Sequence, residues 1–216
     1  MILSPHGRDS YRLIDIGSKR LPATAGEART SWGFIEKVSS QADEVEDELD
    51  PKTYLARTRG ERHRPAARPV GEGVYVIARH RGHTHLAHRL ELPAQPGDVQ
   101  RAFNITEEGS YIVSVKNPKA PSPPGAGLDE ACEAKFPKSL VKRFRGRRFI
   151  PLDPPDFLDH EGAEIVLVGA SAEVAGELGL DLQPEHETEA TAQIFSDLGL
   201  EKSLHPTTPL LEGKWA

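Results

Sequence analysis

Val74-Tyr-Val-Ile-Ala-Arg79 and His83-Thr-His-Leu-Ala-His-Arg-Leu-Glu-Leu92, joined through Arg81-Gly82, form the stretch that decides the fold. Apolar and polar residues alternate on both arms, which is typical of strands that bury one face. The central glycine supplies the positive φ that a tight hairpin turn requires. The sequence therefore predicts a central β-hairpin over residues 74–92.

Working outward, similar apolar runs predict further strands at residues 10–16, 32–38, 110–115 and 164–168. Between them, helical periodicity and cap residues predict short helices, and residues 50–72, rich in Pro, Gly and Arg, are interpreted as a loop. A C-terminal helix is predicted over residues 186–198, followed by an apolar tail at 210–215 that could dock on the core. These elements predict one α+β domain over residues 1–216 with a mainly antiparallel sheet.

Two parts of the chain repeat one order of elements. Ser10-Tyr11 and Ser110-Tyr111 each begin a strand, and each strand is followed by a loop, a second strand and a short helix. A duplicated supersecondary unit would leave this pattern, with halves at about residues 1–72 and 95–180. The alternative is a chance likeness, because strands and caps use few residue types.

Composition narrows the class of protein. The net charge is −6, which argues against a general attraction to nucleic acid but leaves room for a local basic patch. A single cysteine, Cys132, excludes an internal disulfide and favours a reducing compartment, so we expect a cytoplasmic protein. No apolar run approaches the roughly 20 residues that cross a bilayer, so we expect no membrane partner.

Arginines gather in two places. The first cluster precedes the hairpin, and the second is interleaved with Phe144 and Phe149. Arginine forks bind phosphate and aromatic rings stack on bases, so both clusters are candidates for binding nucleic acid or a phosphate ligand. The alternative is that they pair with the acidic runs at residues 43–50 and 185–189. The candidate residues are Arg57, Arg59, Arg62, Arg64, Arg145, Arg147 and Arg148.

Histidines give a second hypothesis. His83 and His85 are two residues apart on a predicted strand and therefore share a face, as two ligands of a divalent metal such as zinc would. The sequence identifies no third ligand, and a polar strand facing solvent explains the same pattern. Phosphate-binding loops, nucleophile elbows and the His-Glu-x-x-His motif are absent from the sequence.

Several phrases resemble a family of microbial proteins whose fungal members are often labelled BTB domain transcription factor. They include Thr58-Arg-Gly-Glu-Arg62, Gly109-Ser-Tyr-Ile-Val-Ser-Val-Lys-Asn-Pro118 and Phe144-Arg-Gly-Arg-Arg-Phe149, and the resemblance spans about residues 11–169. The family has no established catalytic or binding residues, so the resemblance assigns none here. Its members begin with an upstream strand, and Met1-Ile-Leu-Ser4 would then be the end of that strand, so we expect the chain as given to be short at its N-terminus.

Two functions follow as expectations. The first is a binding or interaction module that contacts nucleic acid or a phosphate ligand through the arginine clusters. The alternative is a small metal-dependent enzyme that uses His83 and His85. Convergence of the arginines on one surface would favour the first, and convergence of the two histidines with a carboxylate in a pocket would favour the second.

Overall fold

The structure is a computed structural model that describes residues 1–25, 30–56, 60–123, 127–184 and 187–215. The strands of this part of the chain are β1 (Ile2–Leu3), β2 (Tyr11–Ile16), β3 (Thr30–Ser39), β4 (Lys52–Ala56), β5 (Gly60–Arg64), β6 (Glu72–His80), β7 (His83–Leu92), β8 (Glu108–Lys116), β9 (Phe149–Pro151) and β10 (Glu164–Ser171). Its α-helices are α1 (Ala42–Leu49), α2 (Asp98–Phe103), α3 (Lys138–Val141), α4 (Val174–Leu178), α5 (Gln193–Ser196) and α6 (Thr208–Glu212).

Most strands join one sheet in the order β1-β2-β3-β10-β8-β7-β6. Each described pair is antiparallel, and β9 continues the edge of β8 beyond the end of β7. Residues of both edge strands, β1 and β6, line one cavity, so the sheet curls until its edges face each other. The predicted α+β class with a mainly antiparallel sheet is confirmed.

The predicted central hairpin is confirmed as well. Strands β6 and β7 pair up to His80 and His83, leaving Arg81 and Gly82 as a two-residue turn. Both turn residues have positive φ, 46° and 87°. This is the backbone of a type I′ turn, whose twist matches that of the flanking strands.

The core inside the curl is filled largely by the segment between β8 and β10. Phe144, Leu152 and Phe157 from this segment are each at most 1% exposed and pack with Ile14 and Val113 of the sheet. The rings of Phe144 and Phe157 meet edge to face at 5.5 Å between centroids. A connection of this length between two neighbouring strands thus supplies the core that the strands alone would leave open.

Two predictions about local structure are wrong. Residues 50–72 are not all loop, because β4 and β5 form a separate two-stranded sheet within them. Leu55 on this hairpin is 85% exposed, so no apolar periodicity marks it as a strand. The C-terminal helix predicted over 186–198 is helical only at α5, because the chain turns between Thr188 and Thr191.

The strand order relates two sets of elements. We call β1, β2, β3 and α1 the first half, within residues 1–72, and β8, β10 and α4 the second half, within residues 95–180. Strands β3 and β10 pair at the centre, and β2 and β8 flank them on either side. Tyr11 and Tyr111 therefore stand on strands in equivalent positions, as a duplication would place them. The duplication itself stays a prediction.

Candidate nucleic-acid interface

The first arginine cluster lies partly outside the described residues, which do not include Arg57 and Arg59. Arg62 and Arg64 stand on β5, and both are exposed. Arg64 donates a hydrogen bond to the backbone carbonyl of Glu48 and lies 4.0 Å from its carboxylate. This arginine thus holds the β4–β5 hairpin against α1, as the alternative of pairing with the acidic run expects.

The second cluster projects from a tight turn before β9. Arg145 and Gly146 both have positive φ, 48° and 76°, and the Arg147 amide donates to the Phe144 carbonyl at 2.8 Å. Arg145, Arg147 and Arg148 are exposed at this turn. The structure therefore presents the three second-cluster arginines to solvent from one short segment.

The two phenylalanines of this cluster lie in different environments. The prediction that both rings accompany the arginines at the surface is therefore corrected. Phe144 is 1% exposed and belongs to the core, so it cannot meet a base. Phe149 is partly exposed on the outer face of the sheet, with the Arg148 guanidinium carbon 5.5 Å from its ring centroid. A cation at this distance from a ring is attracted by the ring's π electrons.

Phe149 joins two aromatic residues of β3. Its ring lies 5.9 Å from Trp32, edge to face, and Trp32 lies 6.4 Å from Phe34 with nearly parallel planes. Gly33 and Ile35 are buried, so the alternation of β3 turns Trp32 and Phe34 outward, where both are partly exposed. We call Trp32, Phe34 and Phe149 the aromatic platform.

This platform could not be predicted from the sequence, because Trp32 and Phe149 lie on strands that do not pair with each other. Alternation in Ser31-Trp-Gly-Phe-Ile35 was a signal that one face carries two aromatics. Periodicity within a strand does not say which other strand or turn lies beside it. The arginine–aromatic pattern was visible, but its partner on β3 was not.

Charge is distributed unevenly around the platform. Arg148 and its neighbours stand at the Phe149 end. At the opposite end Asp15 lies across from Phe34 in the strand register, and Glu36 follows on β3. Burial and the nearby Asp15 carboxylate raise the pKa of Glu36. A polyanion on this face would therefore keep its phosphates at the arginine end.

The two histidines of the metal hypothesis differ in exposure. His83 is exposed, whereas His85 is only 3% exposed, with its Nδ1 3.8 Å from Oε1 of Glu177. Ser110 donates a hydrogen bond to the other oxygen of the same carboxylate. Burial lowers the pKa of His85, and the Glu177 carboxylate partly offsets this effect. Buried neutral imidazole beside a carboxylate fits a packing role for His85.

Within the described part of the chain, no group of three or more His, Cys, Asp or Glu side chains is placed to hold a metal ion. These residues therefore supply no third metal ligand beside His83 and His85, and the metal-dependent enzyme stays an untested alternative. No helix of the described residues is long and apolar enough to cross a membrane. No protein family, curated protein or solved structure matches the chain, so the family resemblance also stays a prediction.

Proposed function

We propose that this chain binds single-stranded nucleic acid on the aromatic platform, with phosphates held by Arg145, Arg147 and Arg148. The observation that carries the proposal is the meeting of Phe149, under the Arg148 guanidinium, with Trp32 on one outer face of the sheet. Bases stack on aromatic side chains whatever their sequence, and arginines beside the rings neutralise the backbone.

A single strand fits this surface better than a duplex. Stacking needs the face of an unpaired base, and the bases of a duplex already stack on each other. The platform also lies on a sheet face rather than on a projecting helix of the kind that enters a major groove. Because the chain carries a net charge of −6, binding depends on the local arginine cluster and falls steeply with salt.

The test is fluorescence anisotropy with labelled 12-nucleotide strands of thymidine or uridine, measured between low and physiological salt. Trp32→Leu removes one stacking surface, and we expect affinity to fall about 5- to 150-fold, as the loss of one base–aromatic stack predicts. Replacing Arg145, Arg147 and Arg148 together by Ser removes three phosphate contacts, and the slope of log affinity against log salt should fall by about 2.

Arg81→Asn is the matched control for Arg148→Ser. It removes the same charge from the exposed tip of the β6–β7 turn, away from the platform, and asparagine tolerates the positive φ there. The proposal fails if no strand binds at low salt, or if Arg148→Ser weakens binding no more than Arg81→Asn. Circular dichroism of Trp32→Leu and of Phe149→Leu separates lost binding from lost folding.

A further inference from the structure

A second surface lies between the two edges of the curled sheet, away from the aromatic platform. A cavity of about 1180 Å³ runs between β1 with its following turn and the edge strand β6. The segment 193–200 lines this cavity and is held at Gln193 and at Asp197. The Glu72 carboxylate on β6 accepts from the Gln193 amide at 2.6 Å, and Tyr11 on β2 donates to the Asp197 carbonyl at 3.4 Å.

Apolar side chains line much of this cavity. They come from β1, β2, β6 and the segment 193–200, and include Ile2, Leu13, Val74, Val76, Ile194 and Leu198. Ligand sites in proteins are typically apolar clefts with a few polar groups that fix orientation. The volume is ample for a small organic molecule with an aliphatic body.

One end of the cavity is polar. Arg12 is 2% exposed, and its Nε and Nη2 both donate to Oδ1 of Asp159 at 2.8 and 2.6 Å. Arg8 is half-exposed and contacts Asp156 and Asp159 only at 3.6 and 3.7 Å. Arg8 is thus held by long contacts and can exchange its partner.

Tyr75 on β6 lines the same cavity. Its hydroxyl is buried and has no hydrogen-bond partner among the described residues. Burial raises the pKa of Tyr75, and the nearby Arg12 charge partly offsets this effect. A buried hydroxyl without a partner costs free energy, so an oxygen that accepted its proton would bind favourably here.

We propose that this cleft binds a small carboxylic acid with an aliphatic body, whose carboxylate accepts from the Tyr75 hydroxyl and pairs with Arg8. The aliphatic part lies along the apolar walls. The carboxylate takes the place of Asp156 beside Arg8, which leaves the Arg12–Asp159 pair intact.

A monoanion suits this end better than a phosphate. Arg8 and Arg12 bring two positive charges, and Asp156, Asp159 and the adjacent Asp9 bring three negative ones. A divalent group would place two further charges beside these carboxylates. A carboxylate adds one charge, which Arg8 can neutralise once Asp156 turns to solvent, where it is already half-exposed.

The experiment is isothermal titration calorimetry with decanoate, decanamide and decyl phosphate as probes. We expect decanoate to bind and the neutral amide and the phosphate to bind about tenfold or more weakly, as the loss of a charged hydrogen bond predicts. Tyr75→Phe keeps the ring and removes the unpartnered hydroxyl, so it should weaken decanoate binding by about fivefold or more without lowering stability. Arg8→Gln should abolish the preference for decanoate over decanamide.

Arg79→Gln is the control, because Arg79 stands on the same strand but pairs with Asp153 and does not line the cavity. It should leave decanoate binding unchanged. Absence of decanoate binding, equal binding of decanoate and decanamide, or tighter binding of decyl phosphate would overturn the proposal. Trp32→Leu should not change decanoate binding, so this result and that of the nucleic-acid test are independent.

Discussion

The two halves of the sheet each bury one cationic side chain, and they neutralise it differently. In the first half, Arg12 on β2 pairs with Asp159, whose side chain is 32% exposed. In the second half, Lys116 on β8 is fully buried between Glu164 at 2.9 Å and Glu133 at 3.2 Å, which are 3% and 19% exposed. Water can therefore solvate the Asp159 carboxylate of the first pair, whereas it cannot reach the Glu164 carboxylate of the second.

The difference comes from the long segment between two neighbouring strands of the second half. This segment, between β8 and β10, supplies both Asp159 and Glu133, and it covers Lys116 while leaving Asp159 near the open edge of the sheet. Related positions in the strand order thus carry different electrostatics. An experimental structure in which β2, β3 and α1 do not superpose on β8, β10 and α4 would rule out the duplication.

The largest expected effect is at Lys116. Lys116→Met leaves the Glu164 and Glu133 carboxylates buried without their cation, and removing one partner of a buried pair costs about 3–5 kcal/mol. Urea unfolding should therefore show a large fall in the free energy of unfolding. A loss below about 1 kcal/mol would mean that water reaches this cluster.

Two variants check the cause of that loss. Lys116→Met with Glu164→Gln removes an orphaned charge and should recover part of the stability. Lys138→Met deletes an exposed lysine on α3 and should change stability by less than about 0.5 kcal/mol.

A smaller effect is expected at the buried cation of the first half, Arg12. Arg12→Met leaves Asp159, which is partly exposed and can take water in place of the guanidinium, so we expect a loss of about 1–3 kcal/mol. The same urea titration measures it. A cost equal to that of Lys116→Met would remove the distinction between the halves.

Acid should destabilise the fold through His88 on β7. Burial lowers the pKa of His88, which stacks on Tyr111 at 5.7 Å and lies 3.3 Å from the Thr106 carbonyl. The unfolded chain therefore takes up a proton at about its usual pKa, near 6.5, while the folded chain does not. Stability is present above that pH and falls below it, by at most about 1.4 kcal/mol per pH unit for one histidine.

Thermal unfolding between about pH 7.5 and about pH 5 measures this effect, a range that reaches about one unit above and about 1.5 units below the ordinary histidine pKa. His88→Phe keeps a ring against Tyr111 and should flatten the acid side of the profile. His6→Gln changes an exposed histidine of the first half and should leave the profile as it was. Identical profiles for His88→Phe and the parent chain would contradict the assignment.

Strands with strong local patterns could be predicted from the sequence. The hairpin at residues 74–92 was found because alternation and Arg81-Gly82 both favour it. The β4–β5 hairpin was missed, because its strands carry exposed charges and Pro and Gly surround them. The length of helix α5 was overestimated. The apolar stripe that predicted a longer helix is equally compatible with a segment that turns as it crosses the edge of the sheet.

Only part of each candidate site could be predicted from the sequence. The arginines at 145–148 and Phe149 stood out by composition, but their meeting with Trp32 depends on strand order. The cleft depends on the curl of the sheet, and no local pattern reports the approach of β1 to β6. No local pattern marks Arg12 as buried, because its partner Asp159 lies 147 residues further along the chain.

The isolated β4–β5 hairpin has a consequence for how the chain can vary. It is hydrogen-bonded as its own sheet, and its link to the rest includes the contacts of Arg64 and Lys52 with Glu48 on α1. Leu55 and Tyr54 bury little surface, so few core contacts depend on this hairpin. Substitutions or labels at exposed positions of its two strands would therefore leave the curled sheet folded, making these strands a natural place to modify the protein.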